Sequence, residues 1–356
     1  MGKIHERLSE LIANEEARSD LPPDEFKKEA EENVQRLLGD YTGAALKQLK
    51  RSARTMLRDR RAYEAARTKQ ILAHWRLPLD LIEMVCQIAE ELGSGLNDEV
   101  QEFSAGTPDF VLRAVTESHA KAVLVAREAI CLLKSGYPDG ALSRWRTLHE
   151  VDVIALFIAS HDQETAEKYI DSYWVREAKA AREFQEHAIH LGLEPIPDEQ
   201  LRSIERLSQQ SLEKWGNDLE HPWGWAAAVL GSPKKNWNLG ALERQIGMTA
   251  LRCMFTWACY HNHAGYQPSM ALLGCAGIEE PVYLVGQSDC GFSDPIRLIA
   301  DSLTRVTGTL TQLRADADRV VFMAAMAELS LEAADRAHEL ARLTMRDPSS
   351  QAQNDL

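Results

Sequence analysis

The chain has 356 residues, 45% of them hydrophobic, and a formal net charge of −14 at pH 7. This length predicts two domains, or one large domain with an appendage. The acidic balance excludes a protein that coats nucleic acid with its whole surface. No apolar run approaches the roughly 18 residues that a membrane span needs, and the charged N-terminus does not have the pattern of a signal peptide. We therefore expect a cytoplasmic protein without a membrane anchor.

Helical periodicity dominates the sequence and predicts an all-α multi-helix bundle. Gly39 and the "GSG" at 93–95 are expected to end the first and third helices. In chain order, the predicted helices cover about residues 23–38, 42–74, 79–92, 109–134, a segment through "RWRTLHE" to 159, then 160–190, 201–214, 241–263, 295–327 and 331–345.

Three segments interrupt this pattern. Residues 216–240 are rich in tryptophan and glycine, which predicts a loop-rich insertion whose rings plug the end of the bundle or cover a pocket. "PVYLVG" at 281–286 is the one stretch typical of a strand, and the polar tail 347–356 is typical of disorder. We assign residues 1–105 to an N-terminal helical region that includes a basic helix at 42–76, and residues 106–346 to a helical-bundle core.

The basic helix carries ten lysines and arginines but only two acids between Tyr41 and Arg76, a net charge of +8 against −22 for the remainder. A cationic helix face is a plausible phosphate contact, which makes RNA a candidate partner. The alternatives are a solvated face, or one that docks on acidic protein surface. The candidate binding residues recur at intervals of three and four: Lys47, Arg51, Arg54, Arg58 and Arg61.

Residues 144–150 read "RWRTLHE" and place four ionisable groups within two turns of an otherwise apolar helix. Arg146 and Glu150 are four residues apart, so their side chains meet on one face. A buried ion pair that fixes the helix register explains this pattern. The alternative is a polar site, in which His263, from "CYHNHAG", joins Arg146 and Glu150 in one network. His263 is otherwise expected to end its own helix, where the exposed carbonyls favour a cationic ring.

The stretch from "HAKAVLVAREAICLLKSGYPDGALSRWRTLHEVD" onward resembles the uncharacterised bacterial family called domain of unknown function 5677 (DUF5677). That family has an Arg, three intervening residues and a Glu, matched here by Arg146 and Glu150, and a later His, matched by His263. Cys259 stands where the family usually has a serine. The resemblance covers roughly residues 110–330.

The family's layout is similar to the HEPN domains of bacterial toxin and antiphage systems, which are often dimeric, metal-independent ribonucleases. Arg144 and His149 have the spacing of the HEPN signature. A histidine can move the 2′-hydroxyl proton, and an arginine can stabilise the phosphorane charge. The resemblance thus implies a homodimeric defence protein that binds or cleaves RNA. The contrasting hypothesis is a non-catalytic helical sensor or scaffold for a protein encoded in the same operon.

No motif predicts a metal or another cofactor. The sequence contains no H-E-x-x-H, no phosphate-binding glycine loop of the Walker A type and no G-x-G-x-x-G. Cys259 and His263 share a helical face, but His261 points away from them, so they do not form a zinc-site pattern. The six cysteines are scattered without a C-x-x-C pair, which indicates reduced thiols.

Overall fold

The computed structural model describes residues 22–102, 108–277 and 283–346, together with Glu10 and Ala13. All regular structure in these ranges is helical, and residues 283–286 form no strand, so the all-α prediction is confirmed and the predicted strand is not found there. The chain divides into two compact units, residues 1–67 and 68–356. The predicted domain boundary near residue 105 and the polar tail lie outside the described residues.

The first unit is described chiefly by helix α1 (Pro23–His74), whose residues up to Arg67 belong to that unit. The predicted end of a helix at Gly39 is wrong, because α1 continues through Gly39 and Gly43. A Cβ added at either glycine would meet nothing within 4 Å. Both glycines are thus tolerated inside the helix at the usual propensity cost of about 1 kcal/mol each.

The second unit is built around one central helix, α4, which packs against α3, α8, α9 and α10. No helix of the described residues is both long and apolar enough to cross a membrane. All six cysteines are free thiols. The helices of this unit are α2 (Arg76–Glu102), α3 (Phe110–Lys134), α4 (Pro138–Ala159), α5 (Gln163–His187), α6 (Asp198–Trp215), α7 (Ala227–Leu230), α8 (Leu239–Gln245), α9 (Arg252–Tyr260), α10 (Ser293–Leu313) and α11 (Ala317–Arg346).

Large apolar side chains on α4 form the centre of the core. Trp145, Leu148 and Phe157 are fully buried, and each such side chain contributes roughly 1.5–3 kcal/mol by leaving water. Two neighbouring helices begin at aspartate caps, since Asp109 accepts from the Leu112 amide at 3.0 Å and Asp162 from the Thr165 amide at 2.8 Å. These caps satisfy amides that have no partner within the helix, and they fix where α3 and α5 start around α4.

Three further predicted helix boundaries differ from the structure. The "GSG" does not end α2, which passes through Gly93 and Gly95 to Glu102. The single helix predicted over 241–263 is divided at Gly247, whose φ of +73° is available to glycine but strained for other residues. The break between the last two helices falls at 314–316 rather than at 328–330, because no glycine or proline interrupts the chain near 328.

The tryptophan-rich segment 216–240 consists of short helical turns packed on the core. Trp225 is buried and makes edge-on contacts with Phe157 and Tyr169, at ring-centroid distances of 5.5 and 5.0 Å. A Cβ at Gly224 would lie 1.7 Å from the carbonyl oxygen of Asp218, so the turn requires glycine at this position. Trp225 therefore fills the end of the bundle, as the plugging alternative predicted.

Candidate functional site

The central helix α4 directs the residues of "RWRTLHE" to three different environments. Trp145 and His149 are four residues apart and lie on the buried face, with their ring centroids 5.3 Å apart. Arg144, Arg146 and Glu150 are half-buried at the flanks of that face. The burial of His149 is complete, with 0% of the residue exposed.

His149 belongs to a buried ionic chain that the sequence did not reveal. Its Nε2 lies 2.8 Å from Oε1 of Glu243 on α8, a residue that is only 1% exposed. The other carboxylate oxygen of Glu243 accepts from Nε of Arg252 at 2.7 Å. The Nδ1 of His149 is buried without a partner among the described residues. A proton on Nε2 of His149, donated to Glu243, fits this arrangement, because a proton on Nδ1 would be a buried donor without an acceptor.

Arg146 makes the ion pair that its spacing predicted, with Nη2 of Arg146 2.8 Å from Oε1 of Glu150. Its Nε also donates to the thiol sulfur of Cys259 at 3.2 Å. The guanidinium of Arg146 and that of Arg252 each lie 4.9 Å from the ring centre of Phe255. One aromatic ring therefore holds two cations, which reduces the cost of bringing two like charges together.

Arg144 and His149 do not face a common surface. The guanidinium of Arg144 pairs with Glu128 of α3. Five residues correspond to about 140° of rotation around a helix, which places His149 on the other side, under Phe255 and Glu243. In this arrangement the imidazole that the HEPN signature would use for proton transfer is sealed from solvent.

His263 lies beyond the C-terminal end of α9 and is exposed. Among the described residues, no hydrogen bond or ion pair joins its side chain to Arg146 or Glu150. Cys259, one turn earlier, makes the contact with Arg146 instead. His263 lines a surface cleft together with His261, whose Nδ1 lies 3.4 Å from Oδ1 of Asp139.

Asp152, on α4, is a second buried acid that the sequence analysis missed. It is fully buried, and its Oδ2 accepts from Nε of Arg305 on α10 at 2.8 Å. Burial raises the pKa of Asp152 to about 7, although the neighbouring Arg305 lowers it. An acid three residues after His149, inside the apolar run "VDVIALF", is the sequence signal that identifies it.

A third buried polar group, His119, lies between α3 and α10. Its Nε2 is 3.1 Å from Oγ1 of Thr307, which itself donates to the Leu303 carbonyl at 2.8 Å. The Thr307 hydroxyl can therefore only accept from His119, which places the histidine proton on Nε2. Burial lowers the pKa of His119 to about 4, because the charged imidazolium has lost its hydration.

The basic face of α1 comprises Lys47, Arg51, Arg54, Arg58 and Arg61. All five residues are exposed to solvent. Within the part of the chain that the structure describes, only Arg58 pairs with an acid, Asp59, at 3.0 Å. At 1.5 Å per residue, the face spans about 21 Å from its first to its last cation.

The comparisons with known proteins identify a family without a known activity. Residues 112–280 match the family of unknown function DUF5677. This confirms the resemblance that Arg146 and Glu150 indicated, and it places α4, α8 and α9 within the matched segment. No curated protein and no solved structure matches the chain.

Proposed function

We propose that this chain is an RNA-binding protein that contacts phosphates through the basic face of α1. The supporting observation is that four cations of this face, Lys47, Arg51, Arg54 and Arg61, are exposed and have no ionic partner among the described residues. A row of such cations on an otherwise acidic protein concentrates positive potential on one helix. Counterion release from RNA phosphates then supplies the binding free energy.

Phosphate contacts of this kind carry little sequence information. Between Lys47 and Tyr63, no aromatic residue that could stack on unpaired bases is interleaved with the basic residues. We therefore expect binding to structured RNA with a weak preference for sequence. A role in bacterial defence, as a homodimer, remains the expectation that the HEPN resemblance implies.

The burial of His149 favours binding over cleavage by the HEPN pair. A general acid or base must come within hydrogen-bonding reach of its substrate. His149 instead uses Nε2 to contact Glu243, and its side chain is covered by Phe255 and Trp145. Nuclease activity through Arg144 and His149 would require α8 and α9 to move away from α4.

A scaffold function is the second candidate, and apolar residues of α1 that flank the basic face favour it. Leu46, Leu49 and Leu57 are between 42% and 57% exposed and recur along one face. An acidic amphipathic protein segment would satisfy both this apolar face and the neighbouring basic face. Binding to such a segment in place of RNA would identify the scaffold function.

The RNA proposal is tested by fluorescence anisotropy with a labelled RNA hairpin at low salt. We expect the triple variant Arg51→Glu, Arg54→Glu, Arg58→Glu to weaken binding by at least about tenfold. The matched control, Lys179→Glu, Arg182→Glu, Arg202→Glu, changes the net charge equally at exposed residues of the second unit. It should bind nearly as well as the wild type. Equal loss in both triple variants would show that only the overall charge matters and would refute the basic face as the contact.

Cleavage is tested separately with total RNA. The wild type and Arg144→Ala should give the same pattern of RNA fragments, because Arg144 pairs with Glu128 rather than with the buried His149. A wild-type cleavage pattern that disappears in Arg144→Ala would establish the ribonuclease function instead. Circular dichroism of both proteins controls for folding.

A further inference from the structure

A cleft of about 560 Å³ opens beside the C-terminal end of α9, in the second unit. This volume lies within the range of small-molecule sites. Met254, Trp257 and His261 recur along one face of the helix end and line the cleft, and Tyr260 and Tyr266 also line it. The cleft is separate from the buried chain of His149, Glu243 and Arg252, none of which lines it.

Three aromatic side chains of this cleft have no structural partner. Trp257, Tyr260 and Tyr266 are 56%, 56% and 95% exposed. Within the described residues, none of these three side chains makes a hydrogen bond or a ring–ring contact. Trp145 and Trp215, in contrast, are engaged by hydrogen bonds from their ring nitrogens. Exposed aromatic rings that converge on one concavity indicate a binding site rather than core packing.

The charge of the cleft selects the class of ligand. Asp294, at the start of α10, is half-buried in the lining, and its carboxylate has no ion pair or hydrogen bond among the described residues. The other carboxylate nearby, Asp139, is already engaged by His261 and by the amides of Leu273 and Gly274. No lysine or arginine is among the described lining residues. Of the two histidines in the lining, His261 is engaged by Asp139 and His263 is exposed. Asp294 therefore offers a carboxylate that a cationic ligand can approach.

A larger groove of about 640 Å³ elsewhere in this unit lacks these properties. Its lysine and its arginine both pair with acids: Lys134 lies 2.7 Å from Glu83, and Arg127 pairs with Glu90. Because these charges already compensate one another, that groove offers an ionic ligand no free charged group among its described lining residues. The cleft beside α9 is therefore the better candidate for a ligand site.

We propose that this cleft binds a small organic cation with a quaternary ammonium group. The rings of Trp257, Tyr260 and Tyr266 would attract the cation through their negative faces, as aromatic cages do. Asp294 supplies the countercharge, and the exposed rings replace water around the methyl groups. Neither the match to the family nor the proposed RNA contact through α1 requires this site.

Isothermal titration calorimetry with choline tests the proposal on the full-length chain. The comparison ligand is 3,3-dimethylbutan-1-ol, which has the shape of choline but no charge. We expect choline to bind at least about tenfold more tightly than this neutral isostere, because the aromatic rings and the Asp294 carboxylate attract only the charged ligand. Equal affinity for the two ligands, or no measurable binding of choline at millimolar concentration, would overturn the proposal.

Two cleft variants, each with a matched control, test whether choline binds at this cleft. Trp257→Ala and Asp294→Asn should each weaken choline binding by at least about tenfold. Tyr173→Ala removes an exposed aromatic ring outside the cleft, and Asp318→Asn removes a carboxylate at the second position of α11, as Asp294 is at the second position of α10. Neither control should change the affinity. Choline binding that survives both cleft substitutions would contradict the site, and thermal unfolding of each variant verifies that it is folded.

Discussion

The buried face of α4 and the basic face of α1 both contain ionisable residues, but the first group is paired with residues of opposite charge, whereas most of the second group is not. Around α4, Glu243 contacts both His149 and Arg252, and Asp152 contacts Arg305. On the basic face, four of the five cations have no acidic partner in the described part of the chain. Paired charges in a core hold helices in register, whereas unpaired charges in solvent remain available to a ligand. This difference favours a structural role for the first region and supports the proposed binding role of the second.

The largest expected effect is on stability. It is measured by comparing Glu243 with Glu150, whose arginine partners both contact the ring of Phe255. Glu243→Ala leaves His149 buried without a partner and removes the carboxylate from Arg252, so we expect a loss of about 3 kcal/mol in the free energy of unfolding. Glu150→Ala breaks the half-exposed pair with Arg146 and should cost below about 1 kcal/mol. Urea unfolding followed by circular dichroism measures both. Similar losses in the two variants would show that the buried contacts of Glu243 stabilise the fold no more than the Arg146–Glu150 pair does.

The second prediction uses pH to test whether His119 is part of the core. Its pKa is about 4 in the folded protein and about 6.5 when unfolded, so the unfolded state binds more protons between these values. Stability must therefore fall as the pH decreases from about 6.5 towards 4, by about 3 kcal/mol for this group alone. His119→Leu should remove that loss. The raised pKa of Asp152 acts in the opposite direction, but it is common to both proteins and cancels in their difference.

Urea unfolding of the wild type and His119→Leu at pH 7 and pH 4.5 makes this measurement. The exposed His187 provides the control, and His187→Leu should retain the wild-type dependence on pH. If His119→Leu and the wild type lose stability in parallel on acidification, His119 is hydrated in solution and the described packing is wrong.

A smaller effect on stability is expected when Gly93 and Gly95, two residues apart on α2, are each replaced by alanine. A Cβ at Gly93 would lie 2.5 Å from Cε1 of His119, whereas a Cβ at Gly95 would meet nothing within 4 Å. We expect Gly93→Ala to destabilise the protein by about 1–3 kcal/mol through overpacking. Gly95→Ala should stabilise it by up to about 1 kcal/mol through helix propensity. Thermal unfolding that ranks the two variants in the reverse order would contradict the helical path through 93–95.

Local patterns in the sequence predicted the helices and the Arg146–Glu150 pair, because both depend on residues within a few positions of one another. Glu243 and Arg252 could not be assigned to His149 in this way, since 94 residues separate His149 from Glu243. Gly93 was misread as a helix end because the reason for glycine there is the ring of His119, a contact between helices. The sequence left open whether His263 ends its helix or joins Arg146 and Glu150. In the structure it follows the end of α9 and lines the cleft.

The salt dependence of RNA binding tests the central claim, that the unpaired basic face of α1 is a phosphate contact, most directly. The logarithm of the binding constant should fall linearly with the logarithm of salt concentration, by about 0.7–0.9 per phosphate contact. We predict that the triple variant Arg51→Glu, Arg54→Glu, Arg58→Glu has a slope shallower by about 2–3 than the wild type, and that the Lys179, Arg182 and Arg202 control retains the wild-type slope. A triple variant that binds RNA with the same slope as the wild type would contradict the account.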